Sequence, residues 1–177
     1  MEKYKHKYRI PSTRLQHWDY GSPGLYFLTI CTRNRELYFG EIVETQNLAS
    51  LQPTIIGNIA NQYWLDIPKH FPFVELDEYV IMPNHVHGIL FSNKTDYAGW
   101  QQNKFGPQSK NLGSIIRGYK AGVKTFATGN QIGFGWQGRF HDHIIRSEKE
   151  LNSIRQYIIS NPERWRIDKN NPENLMM

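Results

Sequence analysis

The apolar positions of this chain switch between two periods, and the switches mark out its elements. Leu25 to Cys31 is an almost unbroken run of β-formers after the breakers Gly21, Pro23 and Gly24, which reads as a buried strand. Leu37 to Val43 adds a short second strand. From Pro53 onward Ile55, Ile56, Ile59, Ala60, Tyr63, Trp64 and Ile67 recur at helical spacing, and Pro68 and Pro72 stop the pattern. Phe73 to Met82 and His85 to Phe91 are two further strands, joined through Pro83-Asn84 as a hairpin. Residues 92–110 are polar and read as a loop. Leu112, Ile115, Ile116, Tyr119, Val123, Phe126 and Ala127 draw a second helical stripe, with Arg117, Lys120 and Lys124 on another face. Trp136 to Ile145 reads as a strand. Ser147 to Glu150 has the Ser-x-x-Glu form of a capping box and opens a last helix that runs to about Ser160.

Two helices laid on one face of an antiparallel sheet, followed by a C-terminal helix, predict an α+β architecture of ferredoxin-like (RRM-like) type. The length suits one domain over 1–177, with a basic N-terminal segment at about 1–20, and 39% hydrophobic with 14% aromatic content argues against disorder. The 21 Lys and Arg against 16 Asp and Glu, a net charge of +5, favour an anionic partner, nucleic acid first. Cys31 is the only cysteine, which excludes an internal disulfide and a cysteine-built zinc site. No apolar run approaches the roughly 20 residues of a membrane span, and the first nine residues lack a hydrophobic signal core. The expected location is the cytoplasm, at the nucleoid when DNA is bound.

The chemistry starts at Pro83-Asn84-His85-Val86-His87-Gly88. Alternate side chains of a strand share a face, so His85 and His87 emerge together while Val86 points into the packing. In the last helix Leu151, Ile154 and Ile158 form the buried stripe, Tyr157 sits at its edge and Asn161 lies one turn beyond. A tyrosine beside a bound divalent cation can attack a phosphodiester. Two imidazoles and an amide oxygen would leave positions open for phosphate and water and are compatible with Mg²⁺ or Mn²⁺.

With these residues in view the chain resembles the single-tyrosine HUH transposases of small insertion sequences, and most closely the REP-associated tyrosine transposases. The resemblance spans roughly Arg14 to Arg166. It rests on Phe27 to Thr32 followed by Asn34-Arg35, on Val80 to His87, on Gly113 to Arg117 with Lys120, on Trp136-Gln137 through Asp142-His143 and Arg146, and on Tyr157-Ile158 with Asn161-Pro162. It implies a ferredoxin-like core, His85 and His87 as metal ligands, Tyr157 as nucleophile and Asn161 as third ligand. The insertion-sequence enzymes often carry glutamine one turn after the tyrosine; asparagine here suits the REP-associated branch.

The expected activity is cleavage and rejoining of single-stranded or hairpin DNA, including REP-like repeats, through a 5′-phosphotyrosine, by a monomer or homodimer. Arg33, Asn34 and Arg35, with the aromatic N-terminal segment and the stripe of Arg117, Lys120 and Lys124, are the candidate DNA contacts. Two rival readings are a hairpin-binding protein that no longer cuts, acting in genome organisation or regulation, and an RNA-binding module. The intact set of His85, His87 and Tyr157 weighs against the first, and the histidines stand where the second would want aromatic residues. His141 and His143 form a second H-x-H, but Asp142 replaces the hydrophobic residue between them, so they read as structural or DNA-facing.

Overall fold

The computed structural model describes residues 18–45, 48–99 and 109–175. Most of the N-terminal segment and residues 100–108 of the polar loop lie outside them.

Four strands, β1 (Gly24–Cys31), β4 (Val74–Met82), β5 (His85–Ser92) and β6 (His141–Ile145), form one antiparallel sheet in the order β4-β5-β1-β6. A separate hairpin pairs β2 (Gly40–Thr45) with β3 (Leu48–Pro53) and is inserted before helix α1 (Ile55–Leu65). A short α2 (Ile67–His70) leads to β4, while α3 (Leu112–Gly129) joins β5 to β6 and α4 (Glu148–Ile159) follows β6. Apart from the hairpin and α2 the order is βαββαβ plus one helix, with the first strand central in the sheet. This is the ferredoxin-like arrangement read from the sequence.

The differences from the sequence reading have local causes. The second strand begins at Gly40 rather than Leu37, because Arg33–Arg35 forms a 3₁₀ turn that places Phe39 in the core. Strand β3 carries little signal in the sequence because Leu48–Pro53 alternates exposed and half-buried positions around Ser and Gln, with little hydrophobic contrast. Only His141–Ile145 of the segment from Trp136 is strand, with Trp136 making one isolated bridge to Thr32. Proline accounts for the break between α1 and α2: Pro68 lacks the N–H that would continue the ladder but suits the first turn of a new helix.

Side chains cap the helix starts, at Thr54 and Asn111 as well as at the Ser147 read from the sequence. Thr54 accepts from Gly57 N at 3.1 Å, and Asn111 and Ser114 form a reciprocal box at α3. At α4, Ser147 accepts from Glu150 N at 3.2 Å, but the Glu150 carboxylate turns to Arg146 N and to His143 rather than back to the cap.

The sheet is covered on both faces. Tyr26, Leu28 and Ile30 of β1, with Val86 and Leu90 of β5, meet Trp64 of α1 and Ile115, Ile116, Tyr119 and Val123 of α3 in the main core. The alternate positions Phe27 and Ile89 face α4 and join Ile145 and Ile158 in a smaller cluster. Gly88 lets the two layers approach, since a Cβ there would collide with the Trp64 ring. Each full Trp or Ile burial of this kind stabilises by about 1.5–3 kcal/mol.

Candidate active site on the α4 face

Strand alternation places His85 and His87 on the face opposite the main core, with ring centroids 4.5 Å apart. Register then decides their neighbours. Thr29 of β1 pairs with His87 on one side and His141 of β6 on the other, and Cys31 pairs with His85. The smaller apolar cluster clamps α4 over this row, so the Tyr157 hydroxyl lies 3.3 Å from His87 Nε2. A bidentate contact holds the same helix to β4: Arg155 Nε and Nη2 donate to Asp77 at 2.8 and 2.5 Å.

The site is polar and almost sealed. His85 is 0%, Asn161 1%, His87 2% and Asp168 9% exposed. Burial pushes both imidazoles down, His87 to about 4 and His85 well below its ordinary value, with the neighbouring His87 as a second cause for the latter. Both rings are therefore neutral and keep a lone pair. Burial also raises the Tyr157 phenol, helped by the Asp168 carboxylate, so its hydroxyl keeps its proton beside His87 Nε2.

Hydrogen bonding fixes which nitrogen of His85 is bare. Asn84 spends both amide hydrogens on carbonyls, Arg35 O at 2.9 Å and Asn170 O at 2.7 Å, so its Oδ1 must accept. It accepts from His85 Nδ1 at 2.8 Å, which puts the ring proton on Nδ1 and the lone pair on Nε2. His87 Nδ1 lies 2.9 Å from Thr29 Oγ1, a hydroxyl that serves as donor or acceptor. Asn161 is oriented by a carboxylate: its Nδ2 donates to Asp168 Oδ2 at 3.3 Å, leaving Oδ1 turned away from that partner. Among the described residues His85 Nε2 and Asn161 Oδ1 are buried with no hydrogen-bond partner.

Buried lone pairs without donors are costly, and a cation is the group that would satisfy them together. Ligand atoms of His85, His87 and Asp168 lie within 4.8 Å of one another. The residues present fit a metal ion with nitrogen and oxygen ligands.

Outside the sealed part opens a cleft of about 520 Å³, lined by Phe27, Arg35, Gln137, Arg139, His141 and Tyr157 among others. Of the expected DNA contacts, Arg35 reaches this cleft. It has left-handed backbone at φ 57, following Asn34 at φ 54, and its guanidinium bonds the Asn170 side chain. Arg33 packs against Gly135. The stripe on α3 lies across the sheet from the site: Lys120 donates to Gln137 O at 2.6 Å and Lys124 to Phe134 O at 2.7 Å, both tying α3 to the segment before β6, while Arg117 is exposed. His143 bonds Glu150 at 2.7 Å at the start of α4. Asp168 and the locking role of Asn84 were missed from sequence. Asp168-Lys169-Asn170-Asn171 carries only a turn signal, and Asn84 was accounted for by the turn it makes.

No family model matches the chain. An uncharacterised protein of Haemophilus influenzae is 41% identical over 167 residues, covering 89% of this chain and 91% of that relative. A second protein of the same organism, provisionally named a REP-associated tyrosine transposase, is 27% identical over 150 residues, covering 81% of this chain and 73% of its own length. A solved structure of a REP-associated tyrosine transposase bound to a REP hairpin shares the fold, with a TM-score of 0.57 and 21% identity over 88% of this chain and 74% of that one. The chain is thus a homologue of the 41% identical protein, and in its ordered motifs and ferredoxin-like sheet it is similar to the REP-associated tyrosine transposases.

Proposed function

We propose that this protein cuts and rejoins single-stranded or hairpin DNA as one HUH-type domain, with Tyr157 as its nucleophile. The observation that carries the reading is the Tyr157 hydroxyl 3.3 Å from His87 Nε2, at the border between the sealed histidine pair and the open cleft. A backbone phosphate entering the cleft meets the phenol at that border, with the Arg35 and Arg139 guanidinium groups along the walls. Tyr157 Oη then bonds to phosphorus as the bond to the 3′ oxygen breaks. The products are a 5′-phosphotyrosine and a 3′ hydroxyl, which takes up the proton that the phenol loses. Attack by a different 3′ hydroxyl reverses the step and conserves the phosphodiester without a nucleotide cofactor.

His85, His87 and Asn161 would hold the divalent ion, Mg²⁺ or Mn²⁺, that such chemistry uses. Bound there it would polarise a phosphoryl oxygen and stabilise developing negative charge. The chain's own contribution is orientation: Asn84 fixes the His85 ring proton, Thr29 holds the His87 ring, α4 fixes the phenol, and the smaller apolar cluster excludes water from behind. The DNA-hairpin substrate is supported by the hairpin bound to the structural neighbour and by the net charge of +5.

Tyr157→Phe keeps the ring and removes the attacking oxygen. On a denaturing gel with labelled hairpin DNA and Mn²⁺, the parent retains the fragment carrying the attacked 5′ phosphate and Tyr157→Phe does not, while DNA binding persists. Adduct formation by the variant at the parental level would overturn the nucleophile. Full cleavage in excess chelator, or by both His85→Ala and His87→Ala, would overturn the metal dependence.

A further inference from the structure

Asp168 lies beyond the last motif that carries the resemblance to the REP-associated tyrosine transposases, in the segment that follows the 3₁₀ turn Trp165–Ile167 and returns across the end of the sheet. Two backbone and side-chain anchors hold this return in place. Asn170 O accepts from Asn84 Nδ2 at 2.7 Å, and the Asn170 side chain accepts from Arg35. The anchors deliver the Asp168 carboxylate to the histidine pair, where it is 9% exposed and has no ion pair among the described residues. Its hydrogen bonds come from neutral amides, Asn170 N at 2.6 Å on Oδ1 and Asn161 Nδ2 at 3.3 Å on Oδ2.

A buried carboxylate without a counter-charge is expensive, and here it adjoins a second anomaly of opposite need. His85 Nε2 and Asn161 Oδ1 present unmatched lone pairs to the same space, and His87 Nε2 has only the Tyr157 hydroxyl. Two imidazoles and an amide are all neutral, so none of them offsets the charge of a buried divalent ion. A carboxylate does.

We propose that Asp168 is a ligand of the divalent ion, so that the metal centre is completed by the C-terminal return and the ion in turn fastens that return to the sheet. This rests on the reading of His85 and His87 as ligands. It adds a consequence that the histidine pair and Asn161 alone would not have: metal binding and docking of residues 168–171 are linked, each strengthening the other. Lys169, exposed and immediately next to the carboxylate, reports the docking as a tryptic site.

The test uses the full chain stripped with chelator and titrated with Mn²⁺ by calorimetry, comparing the parent with Asp168→Asn and His85→Ala. Asparagine keeps an acceptor for Asn161 but removes the charge, and the expected result is Mn²⁺ affinity at least about tenfold weaker. The rise in melting temperature on adding Mn²⁺, taken within each protein, should shrink in Asp168→Asn; this difference cancels any general loss of stability. Tryptic cutting after Lys169 should be slowed by Mn²⁺ in the parent and not in Asp168→Asn. Parental affinity and parental protection in Asp168→Asn, with weakened binding in His85→Ala, would overturn the role of Asp168 alone. Parental affinity in both variants would overturn the histidine site itself.

Discussion

The two faces of the central sheet are built from the same strands and do different work. On the α1 and α3 face the alternate residues of β1 and β5 meet Trp64, Tyr119 and a continuous apolar layer. On the α4 face, one residue along in the same strands, stand half-buried Thr29 and buried His85 and His87, and the apolar cluster is confined to Ile89, Ile145, Ile158 and their fringe. The period of two in a strand lets one stretch of sequence specify an apolar layer and a polar one without compromise. The large core on one side holds the sheet rigid enough for unpaired polar atoms on the other to be tolerated.

The comparison predicts that substitutions on the first face cost stability and those on the second cost function. The largest stability effect is expected at Trp64→Ala. Its side chain is fully buried against Gly88 and Tyr119, and truncation should cost about 3–5 kcal/mol in denaturant unfolding. The fraction that remains folded should still form the covalent adduct. Loss of adduct in proportion greater than loss of folded protein would break the separation of the faces.

Asn84→Ala is expected to be intermediate, at about 1–3 kcal/mol, because it strands Arg35 O, Asn170 O and the His85 Nδ1 proton together. Its mark is functional: Mn²⁺ binding should weaken by about 10–100-fold, since His85 is no longer held in one tautomer. Calorimetry showing parental affinity would mean that the His85 ring does not need the Asn84 hydrogen bond to hold it.

A smaller effect is expected at the contact that fastens α4. Arg155 holds the Asp77 carboxyl below its ordinary value of 3.8. A carboxyl depressed on folding contributes stability above its unfolded pKa and loses it as pH falls through the folded value. Asp77→Asn should therefore lower the melting temperature slightly at pH 7, and the difference from the parent should vanish at a pH well below 3.8, once the depressed folded value has been passed. A difference that persists at that pH would assign the effect to packing instead.

The least effect is expected from Lys124→Met. The amine is bonded to Phe134 O on the face away from the cleft, so hairpin affinity should stay within about twofold and stability within about 1 kcal/mol. A large loss of affinity would place DNA on the α3 face as well and redraw the comparison.

What the sequence determined by itself is local. Periodicity gave the strands and helices around the site, alternation put His85 and His87 on one face, and helical spacing put Asn161 one turn after Tyr157. These follow from backbone geometry over a few residues, and no partner element is needed to state them. Tertiary structure alone decided what those side chains meet. Pairing of β1 with β5 set Thr29 against His87 across 58 residues, and the return of the C-terminal segment set Asn170 against Asn84 across 86. The same packing set Lys120 and Lys124 to bond the segment before β6. Such contacts depend on which distant segments close a loop together. The free energy of that choice belongs to the whole packed core, so no local pattern around Asp168 announces it.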